Sequence, residues 1–168
     1  MKEVENISLE YMGCDDLFLL NGWSYRLTRG DTCSILDDTV TYTTPSELKV
    51  ALTKLLIQEI EEKVALYAPK MGCHVRKITI RTQKTRWGSC SGEGTLNFNL
   101  VMLALPPTLR TYIILHEIVH LAERNHAPAF WKLLSVLDPE CAIHRKNLKK
   151  FWILVERNSI WRVLRSVP

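Results

Sequence analysis

The chain has 168 residues, 46% hydrophobic and 24% charged, the balance of a folded domain with its own core rather than of a disordered or fibrous chain. A formal charge of +4 is too small to announce an anionic partner by itself, and no stretch reaches the roughly 18 apolar residues of a membrane span. Five cysteines (Cys14, Cys33, Cys73, Cys90, Cys141) with no CxxC pair, and an N-terminus with acids where a secretory signal needs an apolar run, predict reduced thiols in one cytoplasmic domain over residues 1–168.

Residues 1–43 read as short strands. In LFLLNGWSYRL, Asn21-Gly22 separates two apolar-rich runs, and both residues accept the positive φ of a tight hairpin turn. DTCSILDDTVTYTT reads as a second hairpin turning at Asp37-Asp38, so a small antiparallel sheet is expected. Residues 44–168 then form the larger, mostly helical part. Thr44 and Glu47 make a capping box with Pro45 at the first helical position. Leu48, Leu52, Leu55, Leu56, Ile60, Val64 and Tyr67 follow at helical spacing, and Pro69 stops the helix. VRKITIRTQ alternates as a strand does, RWGSCSGEG reads as a loop and TLNFNLVML as another strand. Pro106-Pro107-Thr108 opens a central helix, apolar from Tyr112 to Ala122 except at His116, Glu117 and His120. A helix without a polar face is buried on most sides. Another helix starts at Ala127-Pro128 and carries Phe130, Trp131, Leu134 and Leu137, and the tail from Pro139 reads as helical with an interruption near Asn158. The class is therefore α+β.

The stretch HEIVHLAERNH puts three histidines and a glutamate into the greasiest helix. His116 and His120 are four apart and share a helix face. An ionised Glu117 among apolar neighbours is costly unless something compensates it. A bound Zn2+ removes the difficulty: it takes the two imidazoles as ligands, while Glu117 serves as general base toward the water. A catalytic zinc needs a third protein ligand. His126 lies six residues past His120, about 9 Å along a continued helix, so the helix must end before it. Asn125, which tolerates the left-handed conformation, is the expected stop, and Pro128 then fixes His126. Glu140 and His144 are rival third ligands. Glu140 also suits the capped start of the next helix. Cys90 as a fourth ligand would close the site to water.

RWGSCSGEGTLNFNLVML followed by YIILHEIVHLAERNHAPAFW resembles the YgjP-like metallopeptidases, small zincins related to the SprT-like and WLM proteases. The likeness is close from about Ile78 to Trp131. It implies a zincin-like core, with His116, His120 and His126 on zinc, Glu117 as base and a polypeptide as substrate. Metzincins usually carry a glycine where this chain has Glu123, so the resemblance is not to them. TLNFNLVML would be the edge strand beside the metal, able to pair with an extended peptide. Its Asn97 and Asn99 are candidates for binding substrate or supporting the site.

Arg86 has two readings: it steadies a developing oxyanion, or it holds a structural carboxylate. Trp87 is expected in the core and Gly88 in a turn. Arg145, Lys146, Lys149 and Lys150 form a basic stripe, either a solvated helix face or a nucleic-acid contact. Two other functions stay open: metal-dependent hydrolysis of a non-peptide such as a nucleotide, and a non-enzymatic zinc module. The lack of a Gly-rich phosphate loop weighs against the first, and Glu117 against the second.

Overall fold

The computed structural model describes residues 17–167; the earlier part of the expected strand region lies outside them. Strand β1 (Leu17–Leu20) turns into β2 (Trp23–Arg29) at Asn21 and Gly22, with φ of 55° and 80°. The turn is docked as well as tight. The Asn21 and Gly22 N–H groups donate to the carbonyls of Leu103 and Ala104 at 2.6 and 2.9 Å, and a Cβ at Gly22 would stand 2.7 Å from Pro106. A second antiparallel hairpin joins β3 (Ser34–Leu36) to β4 (Thr39–Tyr42), with Asp37 at φ 50°. The two hairpins associate through a parallel pairing of β2 with β4, giving the order β1-β2-β4-β3.

Helix α1 (Pro45–Tyr67) begins at the predicted cap: the Thr44 hydroxyl accepts the Glu47 N–H at 3.2 Å. Its buried stripe is Leu48, Leu52, Leu56 and Ile60, whereas Leu55 lies 41% exposed at the margin. The second sheet holds β5 (Lys77–Arg81), β6 (Gly88–Cys90) and β7 (Thr95–Asn99) in the order β5-β7-β6. β7 runs parallel to β5 and antiparallel to β6.

Two expectations are corrected here. RWGSCSGEG is not simply a loop, because its centre is strand β6, and Gly88 sits in that strand rather than in a turn. TLNFNLVML is not an edge strand; its strand β7 is central, with β5 and β6 at the two edges. Asn97 ties the three strands together, accepting from Thr79 Oγ1 at 2.6 Å and donating to Ser89 Oγ at 3.3 Å. The rest of the apolar run, Leu100–Ala104, is a wholly buried 3-10 turn.

Helix α2 (Pro107–Val119) starts with proline at its first position and is buried along most of its length. Its one buried guanidinium, Arg110, is held from several sides. Nε reaches both Glu59 oxygens at 3.0 and 2.9 Å, and Nη1 donates to Asn21 Oδ1 and the Leu105 carbonyl, both at 2.7 Å. Helices α3 (Pro128–Leu137), α4 (Cys141–Arg157) and α5 (Ser159–Ser166) complete the domain. Asn158 makes the predicted break, and its side chain accepts the Trp161 N–H at 3.1 Å. Trp161 then inserts its fully buried indole beside Phe18 and donates to the Leu19 carbonyl at 2.7 Å, fastening α5 to β1. Burying a side chain of that size contributes about 1.5–3 kcal/mol. Cys33, Cys73, Cys90 and Cys141 are free thiols. No helix among the described residues is long and apolar enough to cross a membrane.

Candidate active site

The site forms where α2 stops. His120 caps the helix, and the next N–H groups, of Leu121 and Ala122, step back only three residues to Ile118 and Val119 at 3.0 Å each. This 3-10 tightening ends the helix at Val119, six residues before Asn125. Asn125 does not adopt the left-handed conformation expected of it; only Asn21 and Asp37 among the described non-glycine residues have positive φ. Instead its Oδ1 accepts the Ala127 N–H at 3.1 Å, an Asx turn that leads into Pro128. The chain between reverses and brings His126 back. Trp131 Nε1 holds the His126 carbonyl at 3.0 Å, and the Trp131 ring stacks on the imidazole at 5.5 Å between centroids.

His116, His120 and His126 each offer one nitrogen, and these atoms all lie within 4.8 Å of one another. The His116 and His126 Nε2 atoms are 3.0 Å apart. His120 Nδ1 lies 3.0 Å from the Glu123 carbonyl. A carbonyl only accepts, so Nδ1 carries the proton and Nε2 presents its lone pair. Phe130, fully buried, floors all three rings at centroid distances of 4.6–4.8 Å. Sequence reasoning placed Phe130 only in the core; its spacing four past His126 was the available signal.

The three nitrogens fit a divalent cation. Zinc–imidazole bonds of about 2.0–2.1 Å in a tetrahedron set ligand nitrogens roughly 3.3 Å apart, near the 3.0 Å between the His116 and His126 Nε2 atoms, and all three lie within 4.8 Å of one another. At 3.0 Å the His116 and His126 Nε2 atoms either share a hydrogen bond, one ring standing as its neutral Nε2–H tautomer, or both turn lone pairs toward a cation between them. The cationic imidazolium form is opposed here. Burial, then the neighbouring His120 and His126, then Arg145, pull His116 down to about 3. Burial, His120 and Arg145 also lower His126. The rivals stand elsewhere: His144 Nδ1 is 2.7 Å from Asp138, and Glu140 lies 4.0 Å from His144 Nε2.

The cleft in front of the imidazoles has a volume of about 370 Å³ and is lined by Arg86, residues 88–92, the three histidines, Glu117 and Arg124. Its walls are therefore β6 on one side and the end of α2 on the other. Glu117 is only 6% exposed, and burial raises its carboxyl to about 8 against the opposing charge of Arg86. Gly88 makes room for it, since a Cβ there would come 2.8 Å from Glu117 Cγ.

Among the described residues no carboxylate forms an ion pair with Arg86, which leaves its exposed guanidinium to the cleft. Trp87 packs against the core, edge-on to Trp152 at 4.6 Å. Asn97 and Asn99 do not line the cleft. Asn99 is fully buried and donates to the Gln83 and Arg86 carbonyls at 2.8 and 2.7 Å, which shapes the segment leading into β6. Within the basic stripe, Arg145 is not merely solvated: its guanidinium lies 4.5 Å over the Trp131 ring, on the His126 side of the site.

A family model, that of the YgjP-like metallopeptidase domain, matches residues 25–151, well over half the chain. Comparison with curated proteins and with solved structures gave no match. The match takes in the whole α2–α3 site together with β5, β6 and β7, and its domain type is that of a metal-dependent peptidase. The chain belongs to the YgjP-like metallopeptidase family.

Proposed function

We propose that the chain hydrolyses peptide bonds with a zinc ion held by His116, His120 and His126, and with Glu117 as general base. The observation that carries this reading is the convergence of three imidazole nitrogens within 4.8 Å beside a buried carboxylate in an open cleft. Three imidazoles with a place left for solvent are the donor set of a catalytic zinc rather than a structural one. When bound, the metal supplies Lewis acidity, which makes water a nucleophile near neutral pH and polarises the substrate carbonyl.

The chain's own residues supply the rest. Glu117, set in the cleft wall by Gly88, takes the proton of the attacking water and returns it to the leaving amine. Arg86 faces the same space. The outer edge of β6 lies along the cleft, and an extended peptide can pair with its backbone. The four free thiols among the described residues suit a reducing compartment such as the cytoplasm.

The test combines metal analysis with cleavage of a peptide library read by mass spectrometry. One zinc per chain with cleavage by the native protein, and retained zinc without cleavage in Glu117→Gln, is the expected pattern. Zinc-loaded protein that cleaves no peptide in the library would end this reading.

A further inference from the structure

The cleft carries an unbalanced charge. Arg86 and Arg124 both line it, and among the described residues Glu117, buried at the reaction centre, is the one carboxylate in its lining. Of the nearby acids, Glu93 pairs with Arg76 and Asp138 contacts His144.

The arginines are also placed with respect to the strand. Arg86 stands two residues before β6, which spans Gly88–Cys90. Arg124 is bound to the segment just after it, its Nη2 donating to the Gly92 carbonyl at 2.9 Å. A Cβ at Gly92 would come 2.7 Å from Arg124 Nη1, so the missing side chain lets the guanidinium settle against the loop. One cation therefore marks each end of the open edge. At about 3.3 Å per residue, residues 86 to 92 span at most roughly 20 Å, the length of an extended peptide of some six residues. Arg145, held over Trp131, adds a third positive charge on the opposite side.

We propose that the cleft selects acidic peptides, with carboxylate side chains on the two sides of the scissile bond paired to Arg86 at one end of β6 and to Arg124 at the other. The proposal rests on the peptidase reading above and adds the substrate class to it. Both arginines are exposed, so their contribution is steering and modest affinity, reduced by salt.

Zinc-loaded Glu117→Gln protein permits binding to be measured apart from cleavage. Fluorescence anisotropy with a labelled peptide bearing glutamates on both flanks is expected to show at least about fivefold tighter binding at low salt than its lysine- or glutamine-flanked counterparts. Arg86→Gln and Arg124→Gln should each weaken the acidic peptide by about two- to fivefold, and Arg124→Glu should reverse the preference at that flank. Circular dichroism and zinc content serve as folding controls. Equal affinity for all three peptides, or a preference untouched by these substitutions, overturns the proposal, even if the wild type cleaves peptides. Acid-selective binding without wild-type cleavage overturns the peptidase reading instead and leaves the anionic selectivity in place. Tighter binding of a nucleoside triphosphate than of any acidic peptide overturns the assignment to peptides.

Discussion

Gly88 lies directly against Glu117: a Cβ built on the glycine would be 2.8 Å from both Cγ and Oε1 of the glutamate. Gly88 has no positive φ, so alanine fits the backbone there and only the methyl intrudes. Gly88→Ala should displace the carboxylate without unfolding the strand. A misplacement of about 1 Å costs roughly a hundredfold in rate. Peptide cleavage should fall by about that factor, with zinc content unchanged and the melting temperature within a few degrees. Wild-type kcat/KM in the variant would show that this contact does not position the base.

The Arg110–Glu59 pair tests the fold apart from the chemistry. Its side chains are 6% and 19% exposed, so deleting one partner strands a charge in the interior. Arg110→Met should lower unfolding free energy by about 3–5 kcal/mol in urea titrations. A loss under about 1 kcal/mol would mean that Glu59 finds solvent when left alone.

His126→Ala should weaken zinc binding beyond the roughly 10–100-fold expected when only an outer-layer partner of a metal site is removed. His144→Ala, at a residue bound to Asp138, should leave zinc affinity within about threefold. Competition with a chromophoric chelator reads both. Chelator treatment of the native protein should lower its melting temperature, yet leave its far-ultraviolet spectrum intact, because the buried apolar cluster includes none of the three histidines. The opposite ranking of the two variants would move the third ligand.

Cys90 provides a pH test. Burial first, and the charge of Glu117 second, push its thiol up, with Arg124 opposing. A raised thiol pKa means less thiolate at neutral pH and a reaction profile displaced toward higher pH. Alkylation by iodoacetamide at neutral pH, followed by peptide mass mapping, should modify Cys90 more slowly than exposed Cys33 in the same sample. Faster labelling of Cys90 would contradict this account of its surroundings.

What the sequence disclosed was local. The hairpin turns at Asn21-Gly22 and Asp37-Asp38, the Thr44 cap, the Pro107 and Pro128 starts and the Asn158 break each depend on a few neighbouring residues, and each is found where expected. The grouping of His116, His120 and His126 was also legible, since a four-residue helical step and a forced helix stop require little else. The device that stops the helix was not: a 3-10 turn leaves no residue-type signature of the kind glycine or asparagine would. Nor was β6. Gly-Ser-Cys has little strand preference of its own and becomes a strand through pairing with β7. The same holds for the parallel junction of β2 with β4, and for Arg110 meeting Glu59 fifty-one positions away.

The brevity of β6 bears on how the molecule behaves in a crowded cell. An unprotected sheet margin invites copies of a chain to zip together. Here the exposed margin is three residues long, with an arginine just before it and another tied down just beyond it. Identical molecules meeting there would bring like charges together over too short a ladder to hold. A flexible stranger of opposite charge meets neither obstacle, so the margin can stay available to visitors without seeding aggregates of its owner.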